Sequence, residues 1–170
     1  MKSRLKPAGK AALAVRELIV LGLMGAMLVA VQVALAGIPN VELVSLLVIV
    51  FSLAAGKKAL YAVYVFVLAE GLIYGFGLWW VSYLYVWALL AGAALLFRGN
   101  ESPVFWAVLS GAFGLLFGML CAVPYLFMGG VGAAVSYWVN GILFDLVHCA
   151  GNFAAALLLF RPAHRAVQAL

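Results

Sequence analysis

Between Leu18 and Ala36 the chain carries no charged side chain, and apolar runs of this kind recur almost to the C-terminus. Crossing a hydrocarbon core of about 30 Å takes about 20 apolar residues of helix, so such runs point to one class, the helical membrane bundle. Composition agrees: 69% of the residues are hydrophobic and 9% are charged, against about half and about a quarter in soluble domains. The runs are bounded by Gly, Pro and charge, and they predict helices over 17–36, 40–55, 58–77, 79–97, 103–127 and 133–160. The expected fold is an all-α membrane protein, a bundle of six transmembrane helices over 17–160 between basic tails at 1–16 and 161–170. The second run is the shortest. Its apolar part, Leu43 to Ala55, rises only about 20 Å, which puts its start in the preceding loop.

The bases orient this bundle. Lys2, Arg4, Lys6, Lys10 and Arg16 precede the first run, Lys57 and Lys58 separate the second from the third, Arg98 follows the fourth, and Arg161 and Arg165 follow the sixth. The alternate connections, "GIPNVE", "YGFGLWW" and "MGGVGA", contain no base. By the positive-inside rule both termini are expected in the cytoplasm of a multi-pass protein. The net charge of +5 is thereby used for orientation, and nucleic acid is not an expected partner. Ala34-Leu35-Ala36 resembles a signal-peptidase site, but the run before it exceeds the about 7–15 residues of a signal core, so the first helix is expected to be retained. Cys121 and Cys149 fall inside runs and read as small apolar fillers.

Three sets of residues stand out. In the first run Gly22, Ala26, Ala30 and Ala34 recur every fourth residue, a strip without bulk that suits close helix packing, either within this chain or onto a separate subunit. In the sixth, Asn140, Asp145, His148 and Asn152 project at about 0, 140, 80 and 120 degrees, one broad polar face. A charge at a helix centre is costly in lipid, so this face should look inward, as a helix-to-helix clamp or as a ligand surface. Asp145 and His148, three residues apart, are within reach of each other. In the third run Glu70 shares a face with Tyr74, and the following "YGFGLWWVSYLYVW" carries Trp79, Trp80, Tyr83 and Trp87. These aromatics read either as an interfacial belt or as a ring-stacking wall. Gln32 adds an uncharged polar group to the first run, and Glu42 lies in the first outer connection. No H-E-x-x-H, G-x-S-x-G or Walker sequence is present, so no catalytic group, metal or cofactor is expected. An acid-base enzyme built on Asp145 and His148 ranks lowest.

The six-run plan, "IPNVELVSLL", "AEGLIYGFGLWW" and "GILFDLVHCAGNFAAALLLFRP" together resemble the substrate-binding S-component of energy-coupling factor (ECF) vitamin transporters, over residues 17–165. The resemblance implies a six-helix subunit in the plasma membrane of a prokaryote, holding a vitamin or precursor near its extracellular face. It implies docking through an alanine-x-x-x-alanine motif, matched here by Ala26 and Ala30 with Gly22 and Ala34 extending it. The partners it implies are a transmembrane coupling subunit and two ATPase subunits, which hydrolyse the ATP. The alternative, from another class, is a small proton-coupled carrier relaying protons through Glu70, Asp145 and His148. The expected site comprises Glu42, Glu70, Tyr74, Trp79, Trp80, Tyr83, Trp87, Asn140, Asp145 and His148. With three carboxylates and no Lys or Arg near it, the ligand is expected to be a neutral or cationic aromatic heterocycle.

Overall fold

The computed structural model describes residues 10–38 and 41–168, and among these all regular structure is helical. The elements are α1 (Lys10–Leu35), α2 (Val44–Ala55), α3 (Ala59–Tyr74), α4 (Leu78–Leu96), α5 (Pro103–Cys121) and α6 (Val123–Gln168), with a 3-10 turn at Gly56–Lys58 between α2 and α3. Five helical segments are long and apolar enough to cross a membrane: Ala14–Leu35, Val44–Tyr74, Leu78–Leu96, Pro103–Cys121 and Val123–Gln168. Large apolar side chains on every long helix face outward, Leu18, Leu72, Leu143 and Phe127 among them. A soluble monomer does not expose apolar surface on that scale, whereas lipid accepts it.

Helix α2 occupies the centre. Every residue from Val44 to Ser52 is buried, and α1, α3, α4 and α6 all pack against it. A helix apolar on all sides belongs in such a position. Its 12 residues rise about 18 Å, short of a full hydrocarbon core. At Gly56 the backbone leaves the helix with φ +60°, a conformation that side-chain-bearing residues rarely adopt, so α2 and α3 are separate rods.

Helix α1 meets the bundle through Leu21, Met24 and Leu28, which are buried. Gly25 lies on the same side, and a Cβ there would stand 2.8 Å from Val65 Cγ1 and 3.1 Å from the Ala62 carbonyl. The absent side chain lets α1 and α3 approach. Gly22, Ala26, Ala30 and Ala34 occupy the opposite, exposed side of α1. At the start of α1, Glu17 forms an ion pair with Lys58 beside the α2–α3 turn. Arg16 and Glu17 also line one groove with Ala55 and with Val167 near the end of α6, so these helix ends gather at one end of the bundle.

Helices α5 and α6 make the most extensive pairing, through a ridge of glycines. A Cβ on Gly114 would meet the His148 backbone at 2.8 Å, one on Gly111 the Phe153 Cβ at 3.1 Å, and one on Gly118 would run into the Asp145 carboxylate. Several boundaries differ from the sequence reading. The fifth run, expected to 127, stops as a helix at Cys121, because Pro124 lacks an N–H and its ring crowds the preceding turn. Gly130, at φ +74°, then divides α6 into a short first piece and a long second one. The expected limits at 16/17 and 160/161 fall inside α1 and α6. Ala, Arg and Gln are good helix formers, so the helices outlast the apolar stretches. The expected bases Lys2, Arg4 and Lys6 lie outside the described residues.

Candidate functional site

At the end of the bundle where α1 finishes, a cavity of about 160 Å³ opens between Gln32, Leu35 and Ala36 of α1, Ile38, Val41 and Glu42 of the following connection, Tyr83 and Trp87 of α4, Phe117 of α5, and His148 of α6. Glu42 organises it. One carboxylate oxygen, Oε2, accepts the Ser45 backbone N–H at 2.8 Å and so satisfies a free donor at the start of α2. The other, Oε1, lies 3.2 Å from His148 Nε2. The contact is a hydrogen bond in the tautomer that carries a proton on Nε2, because an ionised carboxylate only accepts. The connection after α1 is thus fastened to α2 and α6 through one side chain.

The remaining walls are aromatic. Trp87 meets Tyr83 edge-on with ring centroids 5.4 Å apart, Phe117 lies 5.7 Å from Trp87, and the His148 ring stands edge-on to Phe117 at 4.9 Å. Such edge-to-face arrangements follow ring quadrupoles and fix the wall's shape. Trp87 is 2% exposed, yet its indole N–H has no acceptor among the described residues.

A second cavity, of about 680 Å³, lies on the other side of Phe117 and His148, between α5 and α6, lined also by Gly118, Tyr125, Tyr137, Asn140, Phe144 and Asp145. Asp145 Oδ1 accepts the Gly118 N–H at 2.9 Å, and Oδ2 is buried without a partner among the described residues. Asn140 donates to the Ser136 carbonyl at 2.8 Å.

The expected site residues therefore divide. Glu42, Tyr83, Trp87 and His148 line the smaller cavity. Asn140 and Asp145 line the larger one, which His148 also touches. Glu70 is buried on α3, with Oε1 unpartnered among the described residues, and lines neither cavity. Tyr74, at the end of α3, is half exposed and faces outward. Trp79 packs edge-on against Tyr83 at 5.1 Å, outside the lining of the smaller cavity. Trp80 is a structural tie: its N–H donates to the Val67 carbonyl at 2.8 Å, and Gly71 leaves room for the indole. Only one of the three expected carboxylates, Glu42, lines the smaller cavity.

The polar face of α6 divides the same way. Asp145 and His148 do not bond each other; the first turns to α5 and the second to Glu42. Asn152 donates to Ser45 Oγ at 3.0 Å and braces α6 against α2. No hydrogen bond joins any two of Glu70, Asp145 and His148 among the described residues. The sequence reading passed over Phe117, Ser45 and Gly118. Of these, only Gly118 had left a signal, the Gly114-x-x-x-Gly118 spacing of a close helix contact. No cluster of three His, Cys, Asp or Glu able to hold a metal occurs among the described residues. Comparison with protein-family models, with curated proteins and with solved structures gives no match.

Proposed function

We propose that this chain is a substrate-binding S-component of an ECF-type importer, capturing a small aromatic heterocycle in the smaller cavity. The observation that carries the reading is that cavity itself. Its volume of about 160 Å³ is in the class that holds a single ring, since an engineered cavity of about 150 Å³ binds benzene. Tyr83, Trp87 and Phe117 offer ring faces or edges. Glu42 is the one acidic group on the wall and no Lys or Arg lines it, which favours a neutral or cationic ligand over a carboxylate.

In this reading the chain crosses the plasma membrane of a prokaryote six times with both termini cytoplasmic, α2 completing its span through the connection that carries Glu42. The placement of Arg16, Lys57, Lys58, Arg98, Arg161 and Arg165 supports that orientation, since the connection after α1, which lines the cavity, contains no base. The chain performs no chemistry of its own. A coupling subunit docks on the exposed strip of Gly22, Ala26, Ala30 and Ala34, whose outward position leaves it free for a partner, and two ATPase subunits drive release.

The test is calorimetry on the purified chain with a panel of vitamins and precursors, guided by mass spectrometry of what co-purifies. Micromolar or tighter binding of a neutral or cationic single-ring compound supports the reading. Tight binding of a carboxylate alone overturns the ligand class, and uptake into liposomes by this chain alone under a pH gradient overturns the S-component assignment.

A further inference from the structure

One side of α1 packs inward through Leu21, Met24, Gly25 and Leu28. Gln32, one turn beyond Leu28, continues that side onto the wall of the ring cavity. Its amide makes no hydrogen bond among the described residues. The same holds for the Tyr83 hydroxyl on the same wall, whose ring is held 5.1 Å from Trp79 and 5.4 Å from Trp87. Neither group is sealed into the packing as the Trp87 N–H is. An unpaired amide turned to lipid is costly, so the cavity is where Gln32 meets a partner.

Glu42 and His148, by contrast, are committed to each other. Glu42 Oε2 accepts from Ser45 and Oε1 faces His148 Nε2, so a cationic ring would have to displace His148 to reach the carboxylate. Gln32 and Tyr83 offer partners without breaking any contact, and both are uncharged. A glutamine amide presents a donor beside an acceptor, and it pairs twofold with a ring edge that presents the complementary acceptor and donor. An apolar ring would displace water from these groups and leave them unpaired.

We propose that Gln32 is the specificity-determining residue of the ring cavity, and that it selects a neutral single ring with an N–H next to a carbonyl, a cyclic amide. The ring edge pairs with the Gln32 amide, and the Tyr83 hydroxyl takes a further polar substituent. This assignment rests on the ring-binding reading of the cavity and narrows its ligand from neutral or cationic rings to neutral ones carrying that edge.

The probes are 2-pyridone, N-methyl-2-pyridone, which keeps the carbonyl and loses the N–H, and benzene, titrated calorimetrically into the purified chain in detergent with empty micelles as the blank. The wild type should bind 2-pyridone about tenfold more tightly than either of the others. Gln32→Leu should remove that preference while leaving benzene affinity unchanged, which shows the cavity intact. Gln32→Glu puts an acceptor-only group in the same place. It should reverse the choice, so that 2-aminopyridinium, with two N–H donors on one edge, outcompetes 2-pyridone by about tenfold, an exchange that a packing role would not produce. Equal binding of the three probes by the wild type, a wild-type preference for 2-aminopyridinium, or a 2-pyridone preference that survives in Gln32→Leu overturns the proposal and leaves the ring cavity standing. Failure of every probe to bind the wild type overturns the ring-binding reading, and this assignment with it.

Discussion

Glu42 and His148, 106 positions apart in the chain, meet at 3.2 Å and close the connection after α1 over the ring cavity. The same Glu42 side chain satisfies the Ser45 N–H at the start of α2, so one residue serves a helix start and a tertiary clamp. The two roles are separable by substitution. Glu42→Gln keeps an acceptor for Ser45 and removes the charge facing His148, whereas Glu42→Ala removes both. Glu42→Ala should lower stability by about 1–2 kcal/mol, and Glu42→Gln by about half of that. Chemical unfolding in mixed micelles measures the difference, and identical losses would mean that the contact with the helix start contributes nothing.

The glycine ridge of α5 gives a prediction with an internal control. Gly118→Ala forces a methyl into the Asp145 carboxylate, and Gly114→Ala presses one onto the His148 backbone at 2.8 Å. Each should cost about 1–3 kcal/mol through overpacking. Gly92→Ala meets nothing within 4 Å and should raise stability by about 0.5–1 kcal/mol, because alanine is the better helix former. Thermal unfolding of the three variants in one detergent orders them; equal effects would show that α5 and α6 have slack between them.

The helices were legible in the sequence because apolar runs long enough for a bilayer have few other uses, and their approximate limits followed from Gly, Pro and charge. The limits that failed did so for local reasons: Pro124 ended α5 early, and helix propensity carried α1 and α6 past the apolar stretches. Periodicity identified the strip of Gly22, Ala26, Ala30 and Ala34 but gave no direction for it, and the glycine that packs inward is its neighbour Gly25. The site was half legible. Tyr83, Trp87, Glu42 and His148 came together, while Trp80 and Asn152 became braces and Asp145 turned to a different cavity. Helical angles place residues on a face to within about 60 degrees, and the division of one α6 face between two cavities is finer than that.

The two sides of α1 should respond differently to bulk. Ala26→Leu and Ala30→Leu add volume on the exposed side, so they should leave stability and ligand affinity within about 0.5 kcal/mol of the wild type while abolishing pull-down of the coupling subunit. Gly25→Leu drives into Val65 and Ala62 and should destabilise the chain by about 3 kcal/mol. Loss of folded protein in Ala26→Leu, or retained pull-down in both alanine variants, would remove the strip as the docking face.

The final prediction concerns two tryptophans that differ in one respect. Trp106 is buried, donates its indole N–H to the Asn100 carbonyl at 2.9 Å and stacks on Phe160. Trp87 is equally buried, but its N–H has no acceptor among the described residues, and its ring lines the cavity. Replacing either by Phe keeps an aromatic ring and removes the donor. In Trp106→Phe a carbonyl loses its partner, and stability should fall by about 1–3 kcal/mol. In Trp87→Phe the loss of ring volume is partly offset by removing an unsatisfied donor, so the empty chain should lose less than Trp106→Phe does. Ligand affinity should separate them further: a ligand packed against the Trp87 ring loses about tenfold, about 1.4 kcal/mol, in Trp87→Phe through lost ring contact and nothing in Trp106→Phe. Calorimetry with the co-purifying compound, set beside unfolding midpoints, gives both readings. Unchanged affinity in Trp87→Phe, with a stability loss as large as in Trp106→Phe, would make Trp87 a packing residue and take it out of the ligand's wall.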